Sequence, residues 1–175
     1  MWMNNDHLLH IAGVNFESTV DGPGVRAAIY FSGCPHHCPG CHNPEAHDPE
    51  YGKLATAEEA LWIAKEIAKR PYVQGITLTG GDPFYANQAH IFLQAILAVL
   101  GNIAPMRKID VWVYTGYLYR DVMDHPLMTL ADVCVDGPFI AEKADKRLVF
   151  RGSANQRIID VKESRRKGEV ILYEL

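Results

Sequence analysis

Cysteine is scarce in this chain, positive charge is not in excess, and no long apolar run occurs. Only four cysteines stand among 175 residues, far below the roughly 8–10% of a disulfide-built scaffold. The fold must therefore rest on an apolar core, which a chain of this length can bury. Lysine and arginine total 17 against 21 aspartates and glutamates, a formal charge of −4, which leaves no basic footprint for nucleic acid. No lysine or arginine precedes Arg26, so the charged start of a secretory leader and the arginine-rich look of a transit peptide are both missing. The most apolar stretch, residues 91–100, is broken by Gln94 and is about half a membrane span. Internal repeats and low-complexity segments are absent too. These absences predict a cytoplasmic chain with neither a membrane nor a nucleic-acid partner.

What is present is an alternation of strand and helix. Residues 25–32 (VRAAIYFS) read as a buried strand running into Gly33 and Cys34. Residues 34–52 are irregular, punctuated by proline and glycine. Thr56 predicts an N-cap with Glu59 completing a capping box. Ala60, Leu61, Ala64, Ile67 and Ala68 then mark one helical face, which Arg70 and Pro71 end. A strand over 75–79 follows, and then a buried helix over 87–100 with Asn87 as its cap and Gly101 at its end. A strand over 109–115, a short helix over 117–123 and strands over 131–136 and 157–161 complete the series. Such alternation implies right-handed βαβ units and a parallel sheet. A closed eight-fold barrel takes about 250 residues and is excluded on length, which leaves an incomplete barrel or an open doubly wound sheet. Residues 1–161 form one domain in this reading. Residues 162–175, basic at first and apolar at the end, form a peripheral tail or an edge strand.

Three of the four cysteines crowd into one loop. Cys34, Cys38 and Cys41 have three and then two residues between them, spacings that let a proline- and glycine-rich loop wrap a compact inorganic centre. Ligation requires thiolates, which the charge of a metal helps to form. An ordinary four-iron cluster takes four cysteines, so three leave one iron open, as catalytic metals keep a vacant position. The rival is zinc completed by His36, His37, His42 or His47, although a structural zinc site usually joins two separated cysteine pairs. Cys134, inside an apolar strand, reads as a small buried hydrophobe.

Gly80, Gly81, Asp82 and Pro83 end a strand, where they either let backbone carbonyls approach a ligand or form a turn into a helix. Ligands of parallel sheets bind beyond the carboxyl ends of the strands, so Cys34, Gly80 and Thr115 should meet at one rim. Thr115 is either a ligand-binding hydroxyl or a satisfied turn hydroxyl, and Asp136 either a contact at that rim or the start of a turn. Asp21 to Gly24, before the first of these strands, belongs at the opposite end of the sheet. Arg26 reads as a salt-bridge partner, and Trp62 and Trp112 as core or interface aromatics.

The spacing Cys34-x3-Cys38-x2-Cys41 resembles the cluster motif of the radical S-adenosylmethionine (SAM) enzymes. Thr19-Val20-Asp21-Gly22-Pro23-Gly24-Val25-Arg26 before it and Cys41-His42-Asn43 after it resemble the activases of glycyl radical enzymes. Gly80-Gly81-Asp82-Pro83, Trp112-Val113-Tyr114-Thr115-Gly116, Val135-Asp136-Gly137-Pro138-Phe139 and Arg151-Gly152-Ser153-Ala154-Asn155-Gln156-Arg157 follow in order. That order is similar to the activating family of anaerobic ribonucleoside-triphosphate reductase, over roughly residues 13–160.

This resemblance implies an α/β fold, an incomplete (β/α)6-type parallel barrel of the radical SAM kind. It implies a [4Fe–4S] cluster on Cys34, Cys38 and Cys41. S-adenosyl-L-methionine would lie on the open iron, against Gly40, Cys41, His42, Gly80, Gly81, Asp82 and Thr115. Reductive cleavage of that cofactor would leave a glycyl radical on the large subunit of the reductase, with the radical chemistry carried by cluster and cofactor rather than by a catalytic side chain. A flavodoxin-like protein is the implied electron donor, and a homodimer is left open. Activation of another glycyl radical enzyme, such as pyruvate formate-lyase, and a non-enzymatic iron–sulfur or zinc module are the alternatives. Two positions depart from the wider superfamily: Gly40 stands where an aromatic residue is common, and Asp82 where glutamate is usual.

Overall fold

The computed structural model describes residues 8–85 and 88–175. Among the described residues seven strands follow in chain order: β1 (His10–Ser18), β2 (Arg26–Phe31), β3 (Lys53–Leu54), β4 (Gly75–Gly80), β5 (Asp110–Tyr114), β6 (Val133–Asp136) and β7 (Arg157–Asp160). They form one open sheet in the order β3-β1-β2-β4-β5-β6-β7. The expected parallel arrangement holds for β2, β4, β5 and β6 and fails at both edges, where β1, β3 and β7 pair antiparallel. Chain connection explains this. β1 turns directly into β2, and the loop between β6 and β7 begins and ends at one rim, so that Asp136 lies opposite Arg157. The strand β1 escaped the sequence reading because its register shifts between Ile11 and Gly13 and again beyond Asn15, which breaks the two-residue alternation that marks a strand.

Two helices cover one face. The first, α1 (Ala57–Ala68), starts where the Thr56 side chain accepts from the Glu59 N–H, and it buries Ala60, Ile63, Ala64 and Ile67. Leu61, expected on that face, is 40% exposed, because the buried stripe turns through Ile63 instead. The second, α2 (Ala89–Ile103), buries Phe92, Leu93, Ile96 and Leu100. It runs on through Gly101, whose lack of a side chain is no barrier at an exposed helical position. The expected cap Asn87 lies outside the described residues. These helices pack on Ile29, Ile76, Leu78, Val111 and Val113 in the larger core, and the opposite face carries Trp112, Val133, Val135 and Ile158. Alternate residues along each central strand thus serve opposite faces.

Past β5 lies the short α3 (Tyr119–Val122). The stretch read as a tail begins instead with α4 (Val161–Lys167), capped by Asp160 accepting from the Glu163 N–H. With few apolar residues in seven, its period is hardly visible. The chain then returns along the free edge of β7, the Asp160 N–H donating to Ile171 O and the Tyr173 N–H to Ile158 O. No helix among the described residues is long and apolar enough to cross a membrane.

Candidate metal and cofactor site

The parallel registers bring the carboxyl ends of β2, β4, β5 and β6 to one rim: Phe31 stands beside Gly80, and Tyr114 beside Val135. The cysteine loop leaves β2 at this rim. Its Gly33 N–H donates to Ala46 O at 2.9 Å, and a tight turn sets the Cys41 N–H 3.1 Å from Cys38 O. Gly40 provides the left-handed backbone of that turn, at φ +75°, a conformation that costs glycine nothing.

A cavity of about 220 Å³ opens here. Cys34, Cys38 and Cys41 line it together with His42, Gly80, Gly81, Asp82 and Thr115. Of the residues expected to hold the cluster and its cofactor, Gly40 alone is not in the lining; a Cβ there would stand 3.7 Å from the Phe139 ring.

The two glycines at the end of β4 answer to neighbouring backbone. A Cβ on Gly81 would stand 2.5 Å from Gly33 O and 2.9 Å from Ala46 O, and one on Gly80 would stand 2.7 Å from both Phe31 N and Phe31 O. A side chain on Gly81 would push the cysteine loop off the sheet, and one on Gly80 would force β4 away from β2. The bare positions thus let the loop and the two strands close up around the site.

Asp82 is 2% exposed and knots three segments together. Its carboxylate accepts from the Thr115 hydroxyl at 2.9 Å, the Gly116 N–H at 2.9 Å and the Phe84 N–H at 2.9 Å. It also meets His36 Nε2 at 2.8 Å. The Thr115 hydroxyl is therefore held within the protein, and it also accepts from the Tyr117 N–H. His36, set between the first two cysteines, is committed to Asp82, while His37 and His47 approach each other through their Nδ1 atoms at 3.3 Å. His42 lies exposed, 6.0 Å from the Phe139 ring.

The segments around Phe139 and from Arg151 to Arg157 carry the family resemblance with no individual role expected of their residues. Phe139, Gly152 and Gln156 complete the cavity wall. Gln156 accepts from the Gly152 N–H and donates to Gly137 O at 3.0 Å, which ties the two loops into one wall. Asp136 turns away from the cavity to accept from Arg157 and from the Tyr119 N–H. Cys134 is fully buried in the main core, where burial pushes its thiol well above the ordinary value.

The donor set fits an iron–sulfur cluster. Three partly exposed thiols share one cavity, and the Asn43 N–H donates to Cys41 Sγ at 3.4 Å, a bond that favours thiolate. Burial above all, with the nearby Asp82 carboxylate and the other two thiols, raises Cys34 to about 11. A metal's positive charge is needed to take that proton at neutral pH. Among the described residues no three His, Cys, Asp or Glu side chains gather closely enough to hold a single metal ion. Around one zinc, with bonds of about 2.3 Å, thiolates crowd together, whereas a cluster seats each on a different iron.

Comparison with known proteins agrees. Residues 20–159 match the family described as a 4Fe-4S single cluster domain. Proteins named anaerobic ribonucleoside-triphosphate reductase-activating protein are similar over most of the chain. The protein from Enterobacteria phage T4 is 34% identical over 139 residues, covering 79% of this chain and 86% of the relative. That from Vibrio cholerae is 38% identical over 142 residues, 79% and 90% of the two chains. That from Escherichia coli K12 is 34% identical over 140 residues, 78% and 89%. The chain belongs to the anaerobic ribonucleoside-triphosphate reductase-activating family. Membership covers the cysteine loop and all four strand ends of the rim, and it makes the chain an iron–sulfur protein.

Proposed function

We propose that the chain activates an anaerobic ribonucleoside-triphosphate reductase, with Cys34, Cys38 and Cys41 holding a [4Fe–4S] cluster and S-adenosylmethionine bound at its open iron. The observation that carries this reading is the sharing of one cavity by three thiols and the carboxyl ends of parallel strands, with the fourth cysteine locked in the core. When bound, the cluster would pass one electron to the sulfonium and break its C–S bond, giving methionine and a 5′-deoxyadenosyl radical that takes a hydrogen atom from a glycine of the reductase large subunit.

The residues of the chain would bind, orient and shield. Carbonyls at Gly80 and Gly81 would accept from the methionyl amine. Asp82 would act one step removed, holding His36, Thr115 and Gly116 in place, since its oxygens are already engaged. Backbone around Gly40, Cys41 and His42 would meet the adenine, and Phe139 would provide the aromatic wall that Gly40 cannot. Thr115 would keep one acceptor position for the ribose. The open sheet would then be an incomplete barrel of the radical SAM type, working in the reducing cytoplasm with a flavodoxin-like donor. The test is chromatography of S-adenosylmethionine incubated anaerobically with reconstituted protein and dithionite. Appearance of 5′-deoxyadenosine is the expected result, while saturation by zinc with no visible cluster absorbance would sink the reading.

A further inference from the structure

A second cavity, of about 260 Å³, adjoins the first and shares Asn43 and Gly80 with it. Its remaining wall is unlike that of a cofactor pocket. Ala12, Gly13 and Ala46 present backbone and little else, and Tyr30, Tyr51 and Glu45 complete the lining. Gly13 is opposite Tyr30 in the antiparallel pair. Directly opposed residues share a sheet face, so a side chain at position 13 would project beside Tyr30, which also lines this cavity. Nothing lies within 4 Å of where that Cβ would be. The absence of a side chain is thus not required by packing, unlike at Gly80 and Gly81.

We propose that this cavity seats an extended polypeptide, the glycine-bearing segment of the reductase, on its way to the cluster site, and that Gly13 is bare so that the incoming main chain can lie against β1. The proposal rests on the function assigned above and names where its macromolecular substrate binds. Three observations favour a polypeptide. The wall of small residues allows close backbone approach. The Asn43 side-chain amide makes no hydrogen bond among the described residues, although its backbone N–H is fixed on Cys41 Sγ, and a primary amide can both donate to and accept from a peptide group. Finally, β3 covers the outer edge of β1 only at His10 and Ile11. Gly52 still packs on Ile11 and Ala12, and among the described residues the edge has no strand partner from Gly13 onward, where another extended chain can add.

The test compares Gly13→Ala and Gly13→Phe with the unaltered protein, each anaerobically reconstituted and each mixed with the cognate purified reductase. Because the added carbon meets open space, both variants should fold and load iron normally, as read by circular dichroism and iron content. Both should also make 5′-deoxyadenosine with dithionite in the absence of the reductase. Gly13→Phe should weaken reductase binding and lower the glycyl radical signal by about tenfold or more, as misplacement of a reacting segment does, and Gly13→Ala should fall between. Wild-type binding and radical yield in Gly13→Phe would overturn the proposal. Should Gly13→Phe fail to fold, Glu45→Trp, which fills the same mouth from an exposed position, decides in the same way. Failure of the unaltered protein to make 5′-deoxyadenosine would instead remove the function on which the proposal rests.

Discussion

The same strands carry a glycine- and aspartate-bearing turn at each end, and the two turns have opposite outcomes. At the amino ends, Arg26 is 1% exposed. It donates to the Thr77 hydroxyl at 2.7 Å and to Ile76 O at 3.0 Å, and pairs with Asp110 at 3.1 Å. Asp21 accepts from Ser18 and Tyr30, and a Cβ on Gly22 would stand 2.7 Å from Arg26 Cδ. At the carboxyl ends Asp82 is as buried as Arg26, at 2%, and Gly81 is as crowded as Gly22, but by the cysteine loop. In both places an aspartate is consumed by internal hydrogen bonds and a glycine makes room for a neighbour. The difference is what is left over. Every polar group named at the amino end faces another, whereas the rim retains three thiols on a cavity. Residue types in a motif therefore do not distinguish a plug from a site; unspent donors do.

The strongest way to break that contrast is to remove the unspent donors. Cys34→Ala, Cys38→Ala or Cys41→Ala should each abolish stable cluster loading and with it S-adenosylmethionine cleavage, because two thiolates cannot hold a four-iron centre. Cys134→Ala should keep both. Iron and sulfide content after anaerobic reconstitution measures this, and a Cys134 variant without cluster would show that the rim is incomplete as drawn.

At the other end the expected loss is of stability. Arg26→Met should cost about 2–4 kcal/mol, since it strips Thr77 and Ile76 O of a buried donor and leaves a partly filled space. The urea midpoint measures the loss. Cleavage per loaded cluster should be unchanged at low denaturant, and a specific loss of cleavage without loss of stability would mean that the plug belongs to the site.

How much of this was legible beforehand follows from what each element is made of. The strand ends of β2, β4 and β5 were readable because short apolar runs stop at glycine or threonine, and the parallel rule then placed Cys34, Gly80 and Thr115 together. The cysteine spacing was readable because ligation is local in sequence. The partnership of His36 with Asp82 was not, for it joins residues 46 apart, and neither side chain alone implies the other. Phe139 and Gln156 were visible as motif letters, but their place in the wall depends on a loop that leaves and rejoins the same rim. The reversal of β7 was hidden for the same reason. The period of β1 was hidden by its shifted register, and α4 by its shortness.

A smaller effect sharpens how the rim is held. Asp82→Asn keeps the shape but weakens the contact to His36 and the acceptance from Thr115 and Gly116. Groups that orient ligands from one shell out typically contribute about 10–100-fold, and the lower end is expected here, about a tenfold weaker hold on S-adenosylmethionine. Equilibrium binding to the reconstituted protein measures it, with iron content as the check that the cluster remains. Equal loss of iron and cofactor binding would mean that the carboxylate supports the loop alone.

An effect that vanishes at neutral pH lies just behind the rim, where His125 is 2% exposed. Its Nδ1 accepts from the Leu127 N–H at 3.0 Å, and its ring stands edge-on to Phe84 at 5.1 Å. Burial first, and then the nearby His90, lower it to about 4, with Asp82 pulling weakly the other way. The imidazole is therefore neutral in the folded protein at a pH where the unfolded chain, at about 6.5, already binds a proton. Protons then favour unfolding. Its contribution to stability is complete above about pH 6.5 and is lost as the pH falls toward 4, at up to about 1.4 kcal/mol per unit. His125→Asn, whose side-chain oxygen can still accept from Leu127, should flatten that part of the urea-midpoint profile while leaving the pH 7 value little changed. An unaltered slope in the variant would mean that the acid sensitivity arises in groups other than His125.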